Sequence, residues 1–168
     1  MYVSYVSESA AMLLTPRQCA AMVSITEPGR EAPLPWPEVW GALLRVQFAD
    51  AEYDGQMIAR VEARGKAFDA EVKGFPCRRT AEAIRAFLAR LESDPKITEL
   101  VVHCHAGQRR SAAVAKFASE MFGARFDHGH EGYNQTVYSL LKDPAQYERP
   151  RPRGRLLGFL RFLSGKRY

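Results

Sequence analysis

Cys104 and Arg110 stand six residues apart in the stretch His103-Cys104-His105-Ala106-Gly107-Gln108-Arg109-Arg110-Ser111. A thiol and a guanidinium at that spacing suit nucleophilic attack on a bound phosphate. If the stretch joins a strand to a helix, the helix N-terminus offers unpaired N–H groups and the positive end of its dipole. A phosphate fits such a place. Gly107 lets the backbone curl so that its amides converge on the anion. Arg110 can return across the loop and hold two oxygens with its planar fork. Amides, dipole and Arg110 together favour the thiolate of Cys104, whose pKa is therefore expected to fall. A thiolate beneath a bound phosphate is placed to attack phosphorus.

The flanking sequence predicts the elements that would hold such a loop. Residues 99–103 (ELVVH) form a short apolar run, the pattern of a buried parallel strand. Residues 111–122 are Ala-rich and helical, with Gly123 suited to the C-cap. Upstream, Ile84, Phe87, Leu88 and Leu91 repeat at helical spacing within a helix over 80–93, with Thr80 as its N-cap and Asp94-Pro95 as its end. MYVSYVS at the start, residues 20–25 and residues 43–48 (LLRVQF) read as three further strands. Thr26-Glu27-Pro28-Gly29 reads as a turn, and the proline-rich 30–41 stretch as loop. Residues 53–79 carry a weak signal, with room for one short helix or a hairpin. Residues 135–142 predict a last helix. The alternation around Cys104 predicts an α/β fold: one domain over 1–148, with a mostly parallel central sheet and helices on both faces. Ligands of such sheets bind beyond the carboxyl ends of strands, where the Cys104 loop would lie.

The loop resembles the Cys-x5-Arg-Ser/Thr loop of the protein tyrosine phosphatase superfamily. His103, Cys104, Gly107, Arg110 and Ser111 stand at the family's spacing, preceded by Val-Val and followed by an Ala-rich helix. Ala106-Gly107 and Ser111-Ala112-Ala113-Val114 match many small, dual-specificity-like members, and the late position of the loop argues against the low-molecular-weight branch. Elsewhere the resemblance rests on element order and length. It implies a cysteinyl-phosphate mechanism without metal or other cofactor. Cys104 would be the nucleophile. Arg110 and the amides of 105–110 would hold the equatorial oxygens. Ser111 would hydrogen-bond the sulfur and help it leave. His103 would support the loop and tune the thiol. His105, Ala106, Gly107, Gln108 and Arg109 would surround the substrate. The family's proton donor is an Asp on a loop after an earlier strand. Asp50, directly after the 43–48 strand, is the first candidate and Asp54 the second. Trp36-Pro37-Glu38 looks similar to the larger relatives' Trp-Pro-Asp but precedes the strand and carries Glu. A solvated surface carboxylate is the bland alternative for all three.

Other features are weaker. Asn134 has two readings, a brace for the site or a plain cap for the 135–142 helix. The His128/His130 pair reads as polar loop. Cys19 and Cys77 are expected to be buried and inert, although Cys77 is also a candidate resolving thiol. Three cysteines without CxxC spacing predict neither a disulfide framework nor a structural metal. The N-terminal stretch contains Glu8 and lacks a basic start, so it is not expected to be an export signal. A reducing cytoplasm follows. With 46% hydrophobic and 26% charged residues the chain is expected to pack a core. The net charge of +5 comes from a tail over 149–168 with seven Lys or Arg and no acid. Its RPRPRGRLLGFLRFL sequence predicts packing or partner contact, with membrane contact the minority reading. Stable nucleic-acid binding is not expected. The expected substrate is a phosphorylated protein or a small phosphomonoester. A phosphoinositide, an RNA 5′-phosphate, or phosphate binding without turnover are the alternatives. Rhodanese-like sulfur transfer fits Gly107 and Ser111 less well, and no Walker sequence is present.

Overall fold

Four parallel strands form one sheet in the order β1-β4-β2-β3 in the computed structural model, which describes residues 1–126 and 132–148. They are β1 (Tyr2–Ser7), β2 (Ala20–Thr26), β3 (Ala42–Gln47) and β4 (Glu99–Cys104). The His128/His130 pair and the 149–168 tail lie outside the described residues. β2 and β4 are interior strands. β2 (AAMVSIT) is buried at every position, the near-continuous apolar run of a strand covered on both faces. β4 runs between β1 and β2, with Ser7 opposite Cys104 and Ser24 opposite His103. Because all four strands point the same way, the chain following each of them emerges at one end of the sheet.

The predicted α/β architecture is therefore present, and its two faces are covered unequally. On one face Leu100, Val102 and Cys104 of β4 join Ala21, Val23 and Ile25 of β2 in a core with three helices. These are α3 (Arg78–Glu92), α4 (Arg110–Phe122) and α5 (Gln135–Lys142). Ile84, Phe87, Leu88 and Leu91 of α3 are all buried there. Each such side chain contributes about 1.5–3 kcal/mol. On the other face Met22 and Val101 meet Ala11 of the one-turn α1 (Glu8–Ala11) and Ala32, Leu34 and Trp40 of the 30–41 loop. That face has one short helix because the proline-rich 30–41 stretch cannot supply a longer one. The short helix allowed within 53–79 is α2 (Gly55–Ala63).

Two local expectations are corrected. The N-cap of α3 is Cys77, not Thr80. Thr80 sits in the first turn, and its hydroxyl accepts from the Cys77 main-chain N–H at 3.1 Å, half of a reciprocal capping box. Cys19 is exposed, not buried. It immediately precedes β2, and its carbonyl accepts from Thr98 and Glu99, so its side chain falls outside the sheet core. Cys77 is buried as expected. Trp36-Pro37-Glu38 forms a short turn of helix ahead of β3, with Trp36 exposed. No helix among the described residues is long and apolar enough to cross a membrane.

Candidate active site

The loop from Cys104 to Arg110 links the carboxyl end of β4 to the N-terminus of α4, between the ends of β1 and β2. Its fold depends on Gly107. This residue has φ +68°, and a Cβ there would lie 2.2 Å from the Ser7 amide nitrogen and 2.4 Å from the Val6 carbonyl carbon. Only glycine fits so close to the β1 backbone in the left-handed region. The Glu8 amide also donates to the His105 carbonyl at 3.3 Å, a second tie to β1. At the far end, α4 begins without any side-chain cap. The Ser111 amide in its first turn is instead directed at the Cys104 sulfur.

Cys104 ends β4 and is 2% exposed. Burial alone raises a thiol pKa, yet the Cys104 thiol lies below the ordinary value. The Ser111 hydroxyl and the amides of Ser111, Gln108 and Gly107 outweigh the burial. The Ser111 Oγ is 3.2 Å from the sulfur, and Ser111 is fully buried in the first turn of α4. The curled amides expected from the sequence are thus directed at the sulfur.

Arg110 is the first residue of α4 and is 3% exposed. A buried guanidinium needs partners. Its Nη1 donates to the Phe48 carbonyl at 2.6 Å, and its Nη2 meets Glu27 Oε1 at 2.7 Å. Its Nε is buried and has no hydrogen-bond partner among the described residues. Both Nη atoms thus already carry protein acceptors, so the two-oxygen fork expected from the sequence is partly occupied.

His103 is fully buried and, by strand alternation, shares the sheet face of Val101 rather than that of Cys104. Burial pushes its pKa down to about 4, and neither ring nitrogen has a hydrogen-bond partner among the described residues. His105, Ala106, Gln108 and Arg109 are exposed at the rim.

The segment after β3 approaches the loop from the other side. Asp50 Oδ2 lies 3.2 Å from Arg109 Nε, and Asp50 Oδ1 accepts from Asn134 Nδ2 at 2.7 Å. Glu52 Oε1 meets Arg109 Nη2 at 2.9 Å. The segment is pinned at three points: the Phe48 amide on the Thr26 carbonyl, Ala51 on Asn134, and Tyr53 on the buried Thr136 hydroxyl. Asp54 is placed differently, capping α2 by accepting from the Met57 amide at 2.7 Å. Asn134 caps α5, and its side-chain amide also donates to Asp50. Arg109, expected at the substrate, is engaged with Asp50 and Glu52.

Sequence reasoning missed Glu27, read only as part of a turn, and Glu52. Glu27 directly follows β2, which borders the loop, and Glu52 lies in the segment after the edge strand β3; a position past the carboxyl end of a strand was the available signal. Glu8 is a third such carboxylate. It is buried beside α1 and held below the usual carboxylate range by its hydrogen bonds from Arg30. No group of three or more His, Cys, Asp or Glu among the described residues is placed to hold a metal ion. Two clefts of about 430 and 420 Å³ open beside α2 and share Tyr53 and Tyr147 as walls. Neither is lined by a residue of the Cys104 loop. No protein-family model, curated protein or solved structure matches the chain.

Proposed function

We propose that the chain is a phosphomonoesterase of the protein tyrosine phosphatase superfamily that works through a cysteinyl-phosphate. One observation carries the reading. The Cys104 thiol lies below its ordinary value despite burial, held by the Ser111 hydroxyl and the amides of Ser111, Gln108 and Gly107, in a loop that ends at the buried Arg110. That is the environment a thiolate nucleophile and a bound phosphoryl group both require.

In the first step the Cys104 thiolate attacks phosphorus. The S–P bond forms, the bond from phosphorus to the substrate oxygen breaks, and that oxygen takes a proton from Asp50. The loop amides hold the equatorial oxygens, with Arg110 supplying its positive charge while its Nη atoms are anchored on the Phe48 carbonyl and Glu27. In the second step water attacks the cysteinyl-phosphate and passes a proton to Asp50. The S–P bond breaks, and the Ser111 hydroxyl stabilises the departing thiolate. Inorganic phosphate is the product. Asp50 fits the proton-transfer role better than Asp54, since Asp50 contacts the loop through Arg109 while Asp54 is occupied as a helix cap. The substrate is a phosphorylated protein or a small phosphomonoester, with no stable nucleic-acid partner. A thiolate mechanism also needs a reducing compartment, which favours the cytoplasm.

Phosphate release from an aryl phosphate, phosphopeptides and phosphoinositides tests the reading, with wild type and Cys104→Ser side by side. Wild type should turn over at least the aryl phosphate and Cys104→Ser none. Equal release by both would refute the mechanism. A second reading, anion binding without turnover, draws on the two donors already engaging Asp50. Phosphate binding without release from any substrate would favour it.

A further inference from the structure

We infer that Asn134 is a positioning residue that fixes the Asp50 carboxyl group relative to the Cys104 loop. The inference rests on the reading of Asp50 as proton donor and goes beyond it. Asn134 is fully buried. Its Oδ1 accepts from the Val137 amide at 2.9 Å, which caps α5. Its Nδ2 donates to Asp50 Oδ1 at 2.7 Å and to the Ala51 carbonyl at 3.1 Å. Its main-chain N–H donates to the Arg109 carbonyl at 3.1 Å. One residue thus ties three segments together: the end of the Cys104 loop, the segment bearing Asp50, and α5.

The cap explains only one of these bonds. Ser, Thr or Asp at this position would accept from the Val137 amide as well. None of them would supply two N–H groups to the Asp50 segment. The orientation of the amide is also determined. Reversing it would turn Nδ2 toward the Val137 N–H and Oδ1 toward two acceptors, losing all three side-chain bonds. Aspartate would in addition set a second carboxylate against Asp50. The choice of asparagine is accounted for by Asp50 and not by the helix.

Arg109 also touches Asp50 but holds it less firmly. Its side chain is 46% exposed, so the ion pair is screened by water, and it is shared with Glu52. The Asn134 bond is sheltered and short. A proton donor must lie within hydrogen-bond reach of the leaving oxygen. A displacement of about 1 Å at a reacting group lowers a rate by about 100-fold. Asn134 therefore matters for catalysis in proportion to how much the reaction needs a proton on the leaving group.

The test is a series of aryl phosphates ranging from good to poor leaving groups, measured as kcat/KM. Asn134→Ser keeps a capping oxygen and removes both donors. It should lose about 10- to 100-fold on poor leaving groups and under about threefold on good ones. Asn134→Asp, the near-isosteric variant, should show the same pattern if the serine variant folds poorly. In an Asp50→Asn background either change should add no further loss, because the group being positioned is already gone. Uniform loss across the series, or full additivity with Asp50→Asn, would overturn the inference in favour of a purely structural cap. If Asp50→Asn itself leaves the leaving-group dependence unchanged while Cys104→Ser abolishes turnover, the nucleophile stands and both Asp50 and Asn134 lose their roles. If wild type turns over no phosphomonoester at all, the functional reading falls and takes the inference with it.

Discussion

Folding stability should fall between pH 7.5 and pH 5, and His103 should be the cause. Its imidazole is fully buried in β4, and burial pushes its pKa from 6.5 down to about 4. Glu8 works against that shift, while Arg45 and Arg30 add to it. A group with a lowered folded pKa binds its proton more readily in the unfolded chain. The unfolded state therefore gains as pH falls below 6.5, and the loss ends only near the folded value of about 4. At pH 5 the unfolded imidazole is mostly charged and the folded one mostly neutral. Each tenfold excess of protons over the unfolded midpoint is worth about 1.4 kcal/mol, so the loss at pH 5 is about 2 kcal/mol. With a urea slope of about 2 kcal/mol/M, the unfolding midpoint should move down by roughly 1 M. The window stays above the range where Glu8 and Glu120, both held below the usual carboxylate range, lose their ionised state. The control is His103→Leu, similar in volume and without ring nitrogens that lack partners. Both proteins carry Cys104→Ser, because the lowered Cys104 thiol would add a slope of the same sign; in that background His103→Leu should cost little stability at pH 7.5, since the ring makes no hydrogen bond among the described residues, and should abolish most of the pH slope. The measurement is urea unfolding followed by circular dichroism at constant ionic strength. The same pH slope with and without His103→Leu would refute the argument.

Three further outcomes follow from the loop. Alkylation of Cys104 by iodoacetamide should rise with pH and level off below the range of an ordinary thiol. Ser111→Ala should move that profile to higher pH and slow turnover by about 100-fold, as read from the alkylation rate against pH and from kcat. Gly107→Ala should destabilise the fold by about 3 kcal/mol and abolish phosphate protection of Cys104. The new Cβ would strike the Val6–Ser7 backbone in a left-handed conformation, and chemical unfolding with a protection assay would show both effects. Glu27→Ala should weaken phosphate binding about tenfold by removing a partner of the buried Arg110, an effect moderated because Glu27 is itself 46% exposed. Inorganic phosphate competition against an aryl phosphate would measure it.

The elements that bury apolar side chains were legible because each has one period. β2, β3 and β4 appear within a residue or two of the runs that predicted them, and α3 buries the four-residue stripe read from its spacing. What failed was local polar chemistry. Thr80 looked like a cap because Ser and Thr are good caps, but the helix begins two residues earlier, after Pro76. The thiol of Cys77 takes the cap position there. Cys19 looked buried because its neighbours are apolar, but it precedes the first paired residue of β2. Hydropathy is a property of a stretch, whereas a cap or a strand end depends on a single residue.

The same distinction divides the candidate site. Cys104, Gly107, Arg110 and Ser111 lie within eight residues of one another, so one loop conformation relates them and their spacing alone predicts the geometry. Glu27, Asp50, Glu52 and Asn134 come from other turns, and their relation to the loop depends on strand order. Only when β4 lies between β1 and β2 does the turn after β2 reach Arg110. Only when α5 packs beside α3 and α4 does Asn134 reach Asp50 and the Arg109 carbonyl together. In the proposed function the loop contains the groups that would hold phosphate, while the fold assembles those that anchor the arginine and contact the carboxylate. Substitutions in the two sets should therefore behave differently. Changes in the loop should act on every substrate alike, because each substrate presents the same phosphoryl group. Changes at Asn134 or Asp50 should act in proportion to the basicity of the leaving oxygen, because their contribution is needed only as that oxygen departs.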